Sequence, residues 1–114
     1  KLRNLILTLK NKTKLFYTTV GSEAEADKIG TALVEEKLAA CANILGPSIA
    51  IFQWEGEINK EKEVVLIFKT TANLVQKSIK RVLELHSYKC PAVIVMDIQD
   101  GHKEFLNWIH ESTL

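Results

Sequence analysis

The chain of 114 residues is 46% hydrophobic and 25% charged, a composition typical of one globular domain with a small core. Residues 1–14 hold five of the fifteen basic side chains and no acid, so residues 15–114 carry ten basic and fourteen acidic groups, a net charge of −4. A negative net charge in residues 15–114 argues against nucleic-acid binding, which depends on clustered Lys and Arg. No stretch reaches the roughly 20 apolar residues of a membrane span.

The first 14 residues form a basic segment with a short apolar run at residues 5–9. This run is shorter than the apolar core of a secretory signal, and no small-residue cleavage site clearly follows it. The sequence therefore predicts a basic extension at residues 1–14, disordered or foreign to the domain, and a single domain at residues 15–114. Since neither an export signal nor a membrane span is evident, we expect a cytoplasmic protein.

The two cysteines are Cys41 and Cys90. Two cysteines do not make a disulfide framework, and neither lies in a Cys-x-x-Cys pair that would favour a structural zinc site. Reduced thiols are therefore predicted. Cys90 falls in a loop without an evident general base, which argues against a catalytic role.

The domain begins with a predicted strand and helix. Residues 15–20 are rich in aromatic and β-branched residues, as in a short strand. Ser22 and Glu25 then have the spacing of a capping box, in which Glu25 reaches back to the N-cap amide. We expect the helix that starts there to end near Leu38 or Ala39.

Two further strands are predicted in the middle of the chain. Residues 41–54 form a long strand that is broken or bulged at Gly46-Pro47, because proline cannot donate a ladder hydrogen bond. A polar turn is expected at residues 56–60, and the next strand at residues 63–70.

The chain closes with a helix, a strand and a second helix. Residues 72–86, capped by Thr70 or Thr71, carry apolar side chains at helical spacing, and residues 92–98 predict the fourth strand. The buried side of the last helix is predicted to consist of Phe105, Trp108 and Ile109.

The order strand–helix–strand–strand–helix–strand plus a terminal helix predicts an α+β, ferredoxin-like fold with an antiparallel sheet, the split βαβ plan. Both helices of this plan cover one face of the sheet. The runs at residues 49–52, 64–68 and 92–96 are nonetheless continuously apolar, which indicates strands buried on both faces. Because one domain lacks elements to cover the second face, the sequence predicts an obligate oligomer.

Several motifs of the chain resemble one known family in order and spacing. They are Lys-Leu-Ala-Ala-Cys-Ala-Asn-Ile at residues 37–44, Trp54-Glu55-Gly56, Lys69-Thr70, His-Ser-Tyr-Lys-Cys-Pro at residues 86–91, and Trp108. Over roughly residues 15–114 they resemble the CutA family of small trimeric proteins, named for tolerance to divalent cations. The resemblance implies a homotrimer with sheets packed around a three-fold axis, and a role in divalent-metal response.

His86 is the first candidate metal ligand, and Cys41 is the second. An imidazole and a thiol suit copper, and the resemblance implies copper(II), although no cofactor is required. The structural alternatives are a histidine that favours a helix C-terminus and a packed core thiol. Copper sites in the family use a Cys late in the first strand and adjacent His residues. This chain has Thr18 and Leu85 there, so His86 alone matches.

A second interpretation is a signalling or scaffold trimer. The family's architecture is similar to that of the PII signal-transduction proteins, which bind small effectors in clefts between subunits. Lys69 follows a buried strand, where charges are rare unless paired, and with Trp54, Glu55 and Tyr88 it is predicted to line such a cleft. The structural alternatives are a lysine that snorkels at a strand end and a tryptophan that packs across a subunit interface.

Enzymatic activity is not predicted. The sequence contains no Gly-rich phosphate loop, no nucleophile elbow and no His-Glu-x-x-His motif. Arg3 and Arg81 are the only arginines, and neither lies near the first strand–helix loop, where an acylphosphatase of this fold needs one. Residues 64–68 also lack the aromatic frame of the RNA-recognition version of the fold.

Overall fold

The computed structural model describes residues 12–114, so most of the predicted extension lies outside the described residues. The elements are β1 (Thr13–Val20), α1 (Glu23–Glu35), β2 (Cys41–Trp54), β3 (Glu57–Thr71), a 3-10 turn (Ala72–Leu74), α2 (Val75–Leu85), β4 (Val93–Asp97) and α3 (Lys103–Ser112). The strands form one sheet in the order β2-β3-β1-β4, with every neighbouring pair antiparallel. The predicted ferredoxin-like arrangement is therefore confirmed. Among residues 12–114, no helix is long and apolar enough to cross a membrane.

Helix α1 ends earlier than predicted. The expected end near Leu38 or Ala39 is wrong, because the amide of Leu38 already folds back to the carbonyl of Leu33 at 2.9 Å. Lys37, between them, adopts a φ of 60°. This is a Schellman ending, which usually has glycine in the left-handed position. Because a lysine occupies this position, the sequence lacks the glycine that would have indicated the end of the helix.

Strands β2 and β3 form a long hairpin with a two-residue turn at Glu55-Gly56. Trp54 pairs directly with Glu57, and the turn residues have φ values of 51° and 81°. Positive φ at both central residues is typical of the type I′ turn, whose twist matches that of paired strands. The polar turn predicted at residues 56–60 is therefore wrong, because pairing resumes at residue 57.

A bulge divides this hairpin into two parts. The register shifts between Leu45 and Ser48, which confirms the interruption predicted at Gly46-Pro47. Beyond the bulge, residues 48–54 and 57–63 pair only with each other. We call this outer part of the hairpin the arm, and the rest of the described chain the body. The molecule is accordingly long, with extents of 55, 25 and 22 Å.

The core of the body lies between one face of the sheet and helices α1 and α2. The buried apolar cluster there consists of Phe16, Val20, Ala26, Ile29, Leu33, Ala39, Leu66, Phe68 and Val82. The rings of Phe16 and Phe68 stack with their centroids 4.4 Å apart. Burying one such apolar side chain contributes about 1.5–3 kcal/mol relative to exposure, so this layer stabilises the body.

The opposite face of the sheet, called the second face below, is only partly covered. Strand register places on it Leu15, Tyr17, Val65, Ile67, Ile94 and Met96. Helix α3 lies against β1 and β3. Its Ile109 is fully buried but does not belong to the core cluster. Phe105 and Trp108 were also predicted to be buried, which is wrong, because they stack on each other and are exposed. Ile94 and Met96 of β4 are exposed as well.

Candidate functional site

His86 lies at the end of α2, beside the end of β1, with its side chain fully buried. Its Nε2 is 2.8 Å from the carbonyl oxygen of Thr19, and the backbone N–H of Tyr88 donates to Nδ1 at 3.1 Å. Since a neutral imidazole has one donor and one acceptor nitrogen, this pattern assigns the proton to Nε2. Both ring nitrogens therefore have partners within the chain.

Glu25, in the first turn of α1, connects this helix to the loop that follows α2 and lies beside His86. Its Oε1 accepts from the Gly21 amide at 3.2 Å and from the Ser87 hydroxyl at 3.1 Å, and its Oε2 accepts from the Ser87 amide at 2.8 Å. Oε2 also lies 3.7 Å from His86 Nδ1. The capping box is thus modified: Ser22 Oγ accepts from the Glu25 amide, but Glu25 reaches back to Gly21 instead of the N-cap amide.

The contacts of Glu25 also set its ionisation. Burial by itself would raise the pKa of Glu25, but the hydrogen bonds from Ser87 and Gly21 outweigh it and lower this pKa below its ordinary value. The positive end of the α1 dipole favours the same charged form. The carboxylate is therefore ionised near neutral pH and holds three chain segments together.

Tyr88 extends these contacts to the sheet. Its hydroxyl donates to Glu63 Oε2 at 2.9 Å, and its ring lies 4.8 Å from that of His86. Burial of the phenol, its hydrogen bond to Glu63 and the charges of Glu63, Glu25 and Glu61 raise the pKa of Tyr88 to about 12. The phenol is therefore a neutral donor at physiological pH. We call His86, Glu25, Ser87, Tyr88 and Glu63 the His86 network.

The two predicted metal ligands do not meet within one chain. His86 contacts the Thr19 end of β1, whereas Cys41 pairs with Lys69, which in turn pairs with Leu15. Four residues of β1 separate these rows of the sheet, roughly 13 Å at about 3.3 Å per residue. Among residues 12–114, no three His, Cys, Asp or Glu side chains form a group that could hold a metal ion.

A metal at His86 would also displace an existing hydrogen bond, because the lone pair of Nδ1 accepts from Tyr88. Thr18, at the family's Cys position, is fully buried on the face that α1 and α2 cover. Leu85 packs against the core cluster. The described residues of one chain therefore do not fit a closed copper centre, and copper at His86 and Cys41 stays a prediction.

The four predicted cleft residues are spread along the molecule. Trp54 and Glu55 lie at the tip of the arm, and Lys69 lies near the other end of β3. Twelve residues separate Lys69 from Glu57, the partner of Trp54, which corresponds to roughly 40 Å at about 3.3 Å per residue. Tyr88 lies between these positions. One cleft that contains all four residues therefore requires two copies of the chain.

Lys69 has a partner on the second face of the sheet. Its amine donates to the side-chain oxygen of Asn43. Cys41, a free and half-buried thiol, lies directly across from Lys69 on β2 and does not belong to the core cluster. The lysine thus reaches a polar group along the sheet, which agrees with a snorkelling side chain.

Two members of the His86 network, Ser87 and Glu63, were missed by sequence analysis. Ser87 contacts Glu25 over 62 residues of chain, and Glu63 contacts Tyr88 over 25. No local spacing signals such contacts, because tertiary packing brings the segments together. The one available signal was Glu25 itself, which the capping box picked out.

Comparison with known proteins identifies the family to which this fold and these residues belong. The model of the family described as "CutA1 divalent ion tolerance protein" matches residues 14–112. The chain belongs to the CutA1 family. It is similar to the divalent-cation tolerance protein CutA of Thermus thermophilus, with 42% identity over 95 residues, which cover 83% of this chain and 92% of the relative.

Two more CutA proteins support this assignment. The divalent-cation tolerance protein CutA of Pyrococcus horikoshii is 39% identical over 99 residues, which cover 87% of this chain and 96% of the relative. The crystal structure of the divalent ion tolerance protein CutA1 from Ehrlichia chaffeensis matches with a TM-score of 0.88 and 35% identity, over 91% of this chain and 97% of that one. The family's names support a general role in divalent-cation tolerance.

Proposed function

We propose that this CutA protein acts in divalent-cation tolerance as a non-enzymatic homotrimer. The observation that carries the proposal is the partly covered second face of the sheet, on which Leu45, Ile94 and Met96 are exposed. Large apolar side chains that remain exposed at both edges of a sheet face favour an interaction site there. The other face is already filled by α1 and α2, so a second copy of the chain is the natural cover. The cytoplasmic location stays a prediction.

The edges of the described sheet favour a ring of copies. Strand β2 forms one edge and β4 forms the other. An exposed edge strand offers unpaired backbone groups to another chain, and long apolar edges invite association. Because the two edges differ, contacts between them are heterologous, and heterologous contacts that close on themselves form rings.

The contacts of the His86 network favour a structural role for its residues over a catalytic one. Its imidazole, carboxylates and phenol are bonded to each other or to backbone groups of β1 and the loops beside it. These contacts tie the end of α2 to the starts of α1 and the arm. Satisfied buried polar groups of this kind fix a unique packing.

The homotrimer is tested by light scattering on the wild type and on two matched variants. Ile94→Lys places a charge on the second face, and Leu83→Lys places the same charge on an equally exposed position of α2. We expect a molar mass three times that of the 12.9 kDa chain for the wild type and Leu83→Lys, and a smaller mass for Ile94→Lys. A monomeric wild type at micromolar concentration contradicts the proposal, as does an unchanged trimer in Ile94→Lys.

Copper(II) binding, the finer prediction, is tested by calorimetric titration. His86→Gln removes the acceptor nitrogen while keeping an N–H for Thr19, and His102→Gln changes an exposed histidine at the N-cap of α3. Saturable binding that is lost in His86→Gln and kept in His102→Gln supports a site at His86. Binding that is equal in all three proteins, or absent from the wild type, contradicts it.

A second candidate function is a signalling or scaffold trimer that binds a small effector between subunits. The separation of Trp54 and Glu55 from Lys69 within one chain favours it, because these side chains can meet only across copies. A ligand that binds the native state raises the melting temperature. A thermal-shift screen of nucleotides and small carboxylates without metal tests the idea, and a screen in which no compound changes the melting temperature contradicts it.

A further inference from the structure

The arm exposes large apolar side chains on both of its sides. Ile49 and Ile51 are each 65% exposed, Ile58 is 69% exposed, and Trp54 is 66% exposed. A two-stranded ribbon by itself is marginally stable in water, and no helix of the described chain covers this one. The arm therefore needs a partner surface more than any other part of the described chain.

The charges of the arm are sorted by side. Residues that face each other in an antiparallel ladder lie on the same side of it, so the register defines two groups. The basic face consists of Ile49, Ile51, Gln53, Ile58, Lys60 and Lys62. The acidic face consists of Ser48, Ala50, Phe52, Trp54, Glu57, Asn59, Glu61 and Glu63. One side thus combines isoleucines with lysines, and the other combines aromatic residues with glutamates.

The five charges that distinguish these faces have no ion-pair partner among residues 12–114, although Glu63 accepts a hydrogen bond from the hydroxyl of Tyr88. The ion pairs of that part of the chain all lie in the body. Lys60, Lys62, Glu57 and Glu61 are exposed. Because Glu63 is held by Tyr88, two exposed lysines on one side of the ribbon match two exposed glutamates on the other side in number.

We propose that the basic face of one arm packs on the acidic face of the arm of a second copy. The inference rests on the proposed homotrimer and specifies how its arms meet. Lys60 and Lys62 of one copy then approach Glu57 and Glu61 of the next, and the isoleucines cover the rings of Phe52 and Trp54. The lysines of one copy can also lie over the indole or phenyl rings of the next copy and form cation–π contacts, which favour the same pairing of faces.

The sorting of charge favours a ring over a two-fold dimer. A two-fold contact brings the same patch of both copies together, which here would place lysines against lysines or glutamates against glutamates. A head-to-tail contact instead uses the basic face of one arm and the acidic face of the next. Every arm then has both faces covered, and the contact closes in a cycle of copies.

Charge reversal tests this contact. K60E/K62E makes both faces acidic, E57K/E61K makes both faces basic, and the quadruple variant exchanges the two faces while restoring the original net charge. Like charges across an interface are strongly unfavourable. We expect each double variant to raise the trimer dissociation constant at least about tenfold at low ionic strength, and the quadruple variant to restore it to within about threefold.

Sedimentation over a dilution series provides the measurement, and K77E/K80E is the matched control. Its lysines are exposed on α2, so it carries the same change in net charge as K60E/K62E away from the arm and should dissociate like the wild type. Wild-type protein that is monomeric throughout overturns the homotrimer itself. A wild-type trimer whose double variants dissociate like the control, or whose quadruple variant fails to recover, overturns the arm contact alone.

Discussion

Phe16 and Phe68 of the body are fully buried and stacked, whereas Ile49 and Ile51 of the arm are two-thirds exposed. Both pairs belong to apolar strand sequences of the same sheet. In the body, α1 and α2 cover the strands, and beyond the bulge no described element does. Apolar sequence in a strand therefore indicates that the side chain will be covered, but it does not say whether the same chain supplies the cover.

The charged side chains of the two regions differ in the same way. In the body, Arg81 binds Glu36 at 2.9 Å, and Glu25 accepts three hydrogen bonds from neighbouring segments. In the arm, Lys60 and Glu61 have no such partner within the described chain. The body thus pairs these charges within its own chain, and the charges of the arm are complementary to those of another copy.

The largest effect is expected from truncation in the core of the body. Phe16→Ala should lower the free energy of unfolding by about 3–5 kcal/mol, because it removes a buried ring and leaves a cavity. Ile51→Ala, introduced into K60E/K62E protein whose arm contact is lost, should cost about 1 kcal/mol or less, since its side chain is exposed there. Denaturant unfolding of both variants measures the difference. Equal losses would show that the arm is as well packed within its own chain as the body.

The body's polar contacts are tested by Glu25→Gln, which removes the charge that three hydrogen bonds stabilise. We expect a loss of about 2 kcal/mol, because hydrogen bonds to a charged group contribute about 1.5–3 kcal/mol each and glutamine keeps part of them. Glu23→Gln is the control, because Glu23 lies in the same first turn of α1 but is exposed. A loss equal to that of the control would contradict a role for Glu25 in joining the segments.

The same variant has a pH signature. The pKa of Glu25 is lower in the folded chain than its ordinary value of 4.5, so the unfolded state binds the proton more readily. The stability that Glu25 contributes is full above about pH 4.5 and is lost as the pH falls through the folded-state pKa. Unfolding measured between neutral and acidic pH should therefore show a flatter dependence for Glu25→Gln than for the wild type.

A smaller effect is expected where the body meets the arm, at Tyr88. Its pKa is raised to about 12, above the ordinary value of 10, so the neutral phenol stabilises the fold fully below pH 10 and less as the pH rises through 12. Spectrophotometric titration should show a late tyrosine ionisation that Tyr88→Phe removes and Tyr17→Phe keeps. Tyr88→Phe should also cost about 1 kcal/mol. A late step that persists in Tyr88→Phe contradicts this assignment.

The smallest effect, with the opposite sign, is expected at Thr18. Its Oγ1 is buried and has no hydrogen-bond partner among the described residues. Because an unsatisfied buried hydroxyl is unfavourable, Thr18→Val should leave the free energy of unfolding unchanged or raise it by up to about 1 kcal/mol. A clear loss in denaturant unfolding would mean that the hydroxyl does have a partner, and that the core of the body is less apolar than described.

Sequence alone predicted the order of elements, because strands, helices and caps leave local signals. Ser22 began α1 as expected, and Gly46-Pro47 marked the bulge. Two boundaries were wrong for a shared reason. Lys37 ends α1 and Glu55 begins the hairpin turn with positive φ, and sequence rules expect glycine or asparagine in such positions.

The candidate site was harder to predict than the fold. The position of His86 at the end of α2 followed from helical spacing, but its partners Thr19 and Glu25 come from distant segments. The arm was missed because the Glu and Lys alternation of residues 57–63 was assigned in part to a turn. Only the register of β2 with β3 shows which charges share a side, and no single segment of sequence contains that register.

The central claim, that the arm is covered by another copy, is tested most directly by acrylamide quenching of Trp54 fluorescence in Trp108→Phe protein. These are the two tryptophans of the chain, so the variant reports Trp54 alone, which is 66% exposed within one chain. We predict weak quenching in the assembled protein and strong quenching when K60E/K62E is added. Strong quenching of Trp54 in protein that has the mass of a trimer would contradict the account.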